Sequence, residues 1–182
     1  MQFKDYLIVA LAPLPVLVIP LVGNAVSPEW KWTWHDFVVA WVILAGTAFA
    51  YRLLATRRHA NFTYRLAAGL AIAAGFLLTW INLAVQVIGD NNPGNLLYFV
   101  VVLAGLVGVV LSRSQPANLA RLAFALAAAL FLVPIVALRL WPEDFSPGPA
   151  KVLLLNFAFV AMFATSGVLF RHAARQPTLA TS

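Results

Sequence analysis

The residues best suited to bind a polar molecule lie in one otherwise apolar stretch of the chain. Thr79, Asn82, Gln86 and Asp90 follow one another at steps of three, four and four residues. On an α-helix this spacing places the four side chains on one face. Such a face can bind a small polar ligand, or it can bond to neighbouring helices of the same protein.

Further polar residues are predicted to lie at a similar depth: Asp36, Asn95, Arg139 and Asn156. With the first four they predict a polar pocket that opens to the outside of the membrane. The alternative is hydrogen bonding between helices, with Arg139 paired to Asp36 or Asp90. Because exposing polar groups to lipid is costly, both interpretations turn these side chains away from it.

The sequence contains no motif that is typical of catalysis or cofactor binding. The sequence has no cysteine. His35, His59 and His172 all lie outside the six membrane-spanning segments that are predicted below, which argues against a haem held by two buried histidines. No two acids and a histidine have metal-ligand spacing, and no Gly-rich phosphate loop is present. We expect no metal and no cofactor.

Three tryptophans, Trp30, Trp32 and Trp34, alternate with polar residues near one membrane surface. In an extended segment the three indoles share a face, which could form a platform for a lipid headgroup, a quinone or a sugar ring. The alternative is an interfacial aromatic belt, where indoles lie by preference.

The composition predicts the environment that positions these residues. Of the 182 residues, 63% are hydrophobic and 10% are charged, whereas a soluble domain is about 45–50% apolar and about 25% charged. A membrane-spanning helix needs roughly 20 mostly apolar residues. The sequence predicts an all-α membrane bundle in one domain, with six spans near residues 6–26, 34–54, 64–88, 93–112, 119–140 and 149–170.

Local signals mark several helix ends. Thr33 and Asp36 predict a capping box at the start of the second span. Asn92 followed by Pro93 predicts the start of the fourth span. Prolines within two of the spans predict packing bends: Pro13, Pro15 and Pro20 in the first span and Pro134 in the fifth. The alternative is broken helices, which often build transporter sites.

The basic residues predict an orientation, because cytoplasmic loops carry an excess of lysine and arginine. Only three of the twelve basic residues are predicted on the side away from the N-terminus: Lys31, Arg139 and Lys151. Five of the six acids lie on that second side. We therefore expect both termini in the cytoplasm. The basic residues form no stripe on a soluble helix, which argues against nucleic-acid binding.

The six spans also suggest three tandem helical hairpins. Outgoing helices share Arg-Leu-Ala at 65–67 and 121–123, and returning helices end at Arg52, Arg113 and Arg171. Internal repeats are common in membrane folds. The alternative is that any six-span protein repeats helix, turn and arginine.

Two segments resemble a known family. The sequence WINLAVQVIGDNNPGNLLY at 80–98 is similar to the central region of a family of small bacterial membrane proteins, and WHDF at 34–37 resembles its second span. The resemblance implies a bacterial cytoplasmic membrane and no particular activity. In size and span number the chain is also similar to the substrate-binding subunits of vitamin uptake transporters.

These observations leave three functional classes. The first is a non-enzymatic structural or accessory protein that associates with itself or with a membrane complex. The second is a small-molecule transporter or binding subunit that uses the polar pocket. The third is a lipid-acting enzyme in which His35, Asp36 and Asp90 supply acid–base groups.

Overall fold

A computed structural model describes residues 3–56, 60–89, 92–142 and 148–176. Within these ranges the chain forms helices and turns, with no strand. The helices are α1 (Phe3–Leu11), α2 (Leu14–Val26), α3 (Trp34–Ala55), α4 (Phe62–Ala84), α5 (Asn95–Leu111), α6 (Pro116–Leu140) and α7 (Pro149–Arg175). Five stretches are long and apolar enough to cross a membrane, with α1 and α2 counted as one, and α5 is a shorter apolar helix. The predicted class, a membrane-embedded all-α bundle, is confirmed.

The observed helices differ from the predicted spans mainly in the middle of the chain and at the end of α7. The helices α3 and α6 follow the second and fifth predicted spans to within three residues, and α7 begins where the sixth span was predicted but continues five residues past its predicted end at 170. By contrast, α4 ends four residues before the predicted end at 88, and α5 begins two residues after the predicted start at 93. Both differences arise in the turn that joins these helices, described below.

The chain forms two compact units, Met1–Thr56 and Arg57–Ser182. Unit 1 contains α1 to α3, and unit 2 contains α4 to α7.

In unit 1, both α1 and α2 pack on α3. The break between α1 and α2 falls at Pro13, which has no N–H to continue the helix. Near the break, the Ala10 carbonyl accepts a hydrogen bond of 3.0 Å from the Trp41 indole N–H. Closer to the N-terminus, Asp5 forms an ion pair with Arg52 of α3. The predicted bend is thus a complete break, and α3 supplies contacts on both sides of it.

In unit 2, α7 packs against both α6 and α4, and α5 packs against α6 and α4. Two buried polar residues of α7 bond to carbonyls of its neighbours. The Asn156 Nδ2 atom donates to Leu130 O of α6 at 2.9 Å, and the Ser166 hydroxyl donates to Ala67 O of α4 at 2.9 Å. Such bonds between helices are the packing role that was the alternative for Asn156. The core between the helices includes Leu78, Ile88, Tyr98, Leu130, Val152 and Phe159.

Candidate functional site

The polar face predicted for the third span does not continue to Gln86. Helix α4 ends at Ala84, and Gln86 has a φ of 52°, in the left-handed region. A left-handed residue just beyond the last turn is a common way to end a helix, although glycine usually supplies it. The prediction that Gln86 shares a helical face with Thr79 and Asn82 is therefore wrong. The chain turns before Gln86 can reach that face.

The turn between α4 and α5 enters the core of unit 2. We call residues 85–89 and 92–94 the buried turn. Within it, Val87 is 3% exposed and Ile88 is fully buried, and both belong to the core. Non-helical backbone at such a position must find hydrogen-bond partners inside the protein, because water is not available.

Two asparagines, one on each flanking helix, provide these partners. The Asn82 side chain accepts from Val87 N at 3.3 Å and donates to Asn95 O at 2.9 Å. The Asn95 side chain accepts from Ile88 N at 3.0 Å and donates to Gly89 O at 2.9 Å. Together they bind the backbone of the buried turn at three points, Val87 N, Ile88 N and Gly89 O. The fourth bond joins Asn82 to the first residue of α5.

Further contacts complete the turn. The Asn95 Nδ2 atom also approaches Gln86 Oε1 at 3.5 Å. Asn92 Oδ1 accepts from Gly94 N at 2.7 Å, and Asn92 O accepts from Asn95 N at 3.0 Å. A Cβ atom at Gly94 would lie 2.8 Å from the Cβ of Ala137 on α6, so only glycine allows this close approach. The predicted start of the fourth span at Asn92-Pro93 is instead a turn.

The remaining predicted site residues of unit 2 have separate environments. Thr79 donates its hydroxyl to Gly75 O in its own helix at 2.8 Å. Arg139 is exposed near the end of α6. Asp90 lies outside the described residues, so its predicted pairing with Arg139 is not described either. Of the predicted set, the structure brings Asn82, Gln86 and Asn95 together.

In unit 1, the predicted capping box is confirmed. The Asp36 carboxylate accepts from the Thr33 backbone N–H at 2.7 Å and from the Thr33 hydroxyl at 2.8 Å. The carboxylate therefore serves the start of α3, at the positive end of the helix dipole.

Residues 27–33, which we call the exposed turn, carry two of the three interfacial tryptophans. The Trp30 ring packs against Gly23 of α2. The backbone of Trp32 is bound by Asn24, whose side chain donates to Trp32 O at 2.7 Å and accepts from Trp32 N at 3.0 Å. This asparagine was missed in the sequence, although an amide near the end of an apolar helix was a usable signal.

The aromatic rings around the exposed turn have different neighbours. Trp32 meets Phe37 edge to face, with ring centroids 5.5 Å apart. Trp34, the first residue of α3, is 68% exposed and lies 3.6 Å from the His35 ring centroid. A ligand platform and an interfacial belt both stay predictions for these tryptophans.

Three buried polar atoms of unit 2 have no hydrogen-bond partner among the described residues. They are Asn92 Nδ2, the Tyr98 hydroxyl and Asn156 Oδ1. Each belongs to a residue that is at least 97% buried. A buried polar atom without a partner costs about 1–3 kcal/mol. Asn92 and Tyr98 were not predicted as site residues, because the local sequence does not show which buried polar atoms will lack a hydrogen-bond partner.

No group of three or more histidine, aspartate or glutamate side chains gathers within the described part of the chain. Comparisons with protein families, with curated proteins and with solved structures found no match. The fold and the apolar helices define the class: a membrane-embedded helical protein of several spans.

Proposed function

We propose that this protein is a non-enzymatic structural or accessory component of a bacterial cytoplasmic membrane. The observation that carries the proposal is that buried amide side chains of unit 2 form hydrogen bonds with the protein's own backbone. Asn82 and Asn95 direct their amides to backbone groups of the buried turn and of the first residue of α5. An amide has few donors and acceptors, so one that is engaged by the fold has less capacity to bind a ligand.

The accessory role predicts a protein partner, either a second copy of this chain or another membrane protein. The full-length protein, extracted together with its lipids, can be weighed by native mass spectrometry. We expect a mass that includes at least one further protein chain. A monomer that carries a stoichiometric small molecule would contradict the proposal and favour a binding function.

The proposed orientation places both termini in the cytoplasm. It rests on the basic residues, of which nine of twelve lie on the N-terminal side of the predicted spans. The chain has no cysteine, so Trp30→Cys and Arg57→Cys each introduce one label site. In intact cells a membrane-impermeant maleimide should label only the first variant. Labelling of both variants, or of Arg57→Cys alone, would contradict the orientation.

A second candidate is a transporter or binding subunit for a small polar molecule. The three unpartnered atoms of Asn92, Tyr98 and Asn156 favour it, because a bound molecule could supply the missing hydrogen bonds. Under this alternative we expect a small molecule to co-purify with the protein. The amount that stays bound should fall about tenfold or more when Tyr98→Phe is combined with Asn156→Leu. Thr47→Val is the matched control, because the Thr47 hydroxyl donates to Ile43 O of its own helix, α3, and Thr47 is not a candidate site residue.

The earlier pocket hypothesis has its own test. Asn82→Leu combined with Gln86→Leu should abolish small-molecule retention if those amides line the site, while the protein still folds. Undiminished retention in that variant would remove these two residues from the candidate site. No observation in the described residues favours the lipid-acting enzyme, since the Asp36 carboxylate caps α3.

A further inference from the structure

One end of unit 2 carries several arginines and, among the described residues, no acid. At this end α4 and α6 begin and α5 and α7 end. The five arginines that the structure describes there are all exposed. We call them the basic rim: Arg65, Arg113, Arg121, Arg171 and Arg175.

Hydrogen bonds between helices fix the backbone that carries the rim. The Tyr64 hydroxyl of α4 donates to Ser114 O, just after α5, at 3.0 Å. The Asn61 side chain, which caps α4, donates to Gln176 Oε1 beyond α7 at 2.8 Å. Three of these four residues directly neighbour a rim arginine in the sequence. The rim is therefore built on positions that the fold holds together.

The charge of the rim has no counterpart within unit 2 among the described residues. The acids that the structure describes are Asp5, Glu29 and Asp36, which all belong to unit 1. No rim arginine forms an ion pair with a described residue. Neither α4 nor α6 has an acid in its first turn, where a helix favours negative charge. Among the described residues of unit 2, therefore, no side chain neutralises the rim, and its exposed guanidinium groups are available to an anion from outside.

Exposed apolar side chains lie next to these cations. Phe62, at the start of α4, is 80% exposed, and Leu111, at the end of α5, is 75% exposed. A partner that matches both features carries a negative group beside an apolar chain. An acidic polypeptide supplies only the first, whereas an anionic phospholipid supplies both.

We propose that the basic rim binds the phosphate groups of anionic phospholipids. Each guanidinium can donate two parallel hydrogen bonds to phosphate oxygens, while the acyl chains lie along the apolar surface beside Phe62 and Leu111. This inference concerns a different surface from the buried turn and does not rest on the proposed function.

The test compares two lipids that differ only in headgroup charge. Full-length protein in detergent micelles is titrated with dioleoylphosphatidylglycerol or dioleoylphosphatidylcholine, and bound lipids are counted by native mass spectrometry. We expect the anionic lipid to bind at least about 25-fold tighter, since two of the rim cations alone should contribute that much. In Arg65→Gln/Arg175→Gln, its affinity should fall about 25-fold, which corresponds to about fivefold for each cation removed.

A matched control removes the same charge elsewhere. Arg139→Gln/Lys151→Gln alters two exposed cations near the other end of the same unit, and we expect the affinity to change less than about threefold. Arg65→Lys/Arg175→Lys keeps the charge and should retain most of the preference. If the lysine variant keeps the preference for the anionic lipid, the loss in the glutamine variant is a loss of charge and not a loss of folding. Thermal unfolding of every variant measures folding directly.

Several outcomes would overturn the proposal. Wild-type protein that binds both lipids equally has no anionic lipid site. Equal losses in the rim and control variants would mean that only total charge matters. If poly-glutamate binds the rim more tightly than phosphatidylglycerol, an acidic polypeptide is the partner instead.

Discussion

The exposed turn of unit 1 and the buried turn of unit 2 are both bound by an asparagine near the end of the preceding helix, but the two turns differ in how far they are buried. Asn24 lies two residues before the end of α2, and Asn82 lies two residues before the end of α4. Asn24 both accepts from and donates to the backbone of the turn that follows it, whereas Asn82 accepts from the backbone of its turn and donates to Asn95 O at the start of the next helix. A helix that ends in an apolar environment can thus bind its own continuation through one amide.

The two turns differ in how many amides they require. The exposed turn has one amide partner, Asn24, and its Glu29 and Thr33 N–H groups donate to the Ser27 hydroxyl and the Asp36 carboxylate. The buried turn adds Asn95, which binds Ile88 and Gly89, and Asn92, which binds Gly94. The comparison teaches that both turns have side-chain partners, but that those of the buried turn are themselves buried amides, Asn82, Asn92 and Asn95, for which water is a poor substitute.

The largest expected effect is at Asn95. Asn95→Ala leaves the Ile88 N–H and the Gly89 carbonyl buried without their partner, which should lower the free energy of unfolding by about 2–4 kcal/mol. Titration of micellar protein with dodecyl sulfate measures this quantity. A loss below about 1 kcal/mol would mean that water reaches the buried turn, and the distinction between the two turns would fail.

The paired asparagines test the comparison directly. Asn82→Ala should cost about 1–3 kcal/mol, because Val87 N–H and Asn95 O stay buried, whereas Asn24→Ala should cost about 1 kcal/mol or less. The same dodecyl sulfate titration applies to both variants. Equal costs would contradict the idea that burial, rather than the hydrogen bonds themselves, sets the difference.

Glycine positions offer a smaller and independent comparison. Gly94→Ala forces a Cβ against Ala137 of α6, so we expect a loss of about 1–2 kcal/mol from overpacking. In the matched variant, Gly23→Ala, the new Cβ meets the Trp30 ring, which is 42% exposed and can move aside. Its melting temperature should therefore fall less. A larger fall for Gly23→Ala would show that the exposed turn is the more tightly packed one.

The smallest expected effect concerns the helix break in unit 1. Trp41→Phe keeps a ring but removes the donor to Ala10 O. Hydrogen bonds between membrane helices contribute about 0.6 kcal/mol on average, and a similar loss in the free energy of unfolding is expected here. Trp41→Leu, which also removes the ring, should cost more. If the two variants cost the same, the indole N–H is the whole contribution.

Much of the architecture could be predicted because its causes are local. The apolar stretches that predicted the spans became helices, and Thr33 with Asp36 formed the predicted capping box. The structure also brings three candidate polar residues, Asn82, Gln86 and Asn95, near one another, although Gln86 lies beyond the helix that was predicted to carry it. Their role could not be predicted, because spacing alone does not distinguish an amide that faces a ligand from one that binds backbone.

The sequence by itself determined the apolar environment of the chain, the number of apolar stretches and the asymmetry of its basic residues. Only the tertiary structure decided that α4 stops at Ala84 and that Val87 and Ile88 enter the core. The physical reason is that hydropathy favours continuing the helix past Ala84. The competing bonds come from Asn95, on the next helix, and exist only after the two helices have packed.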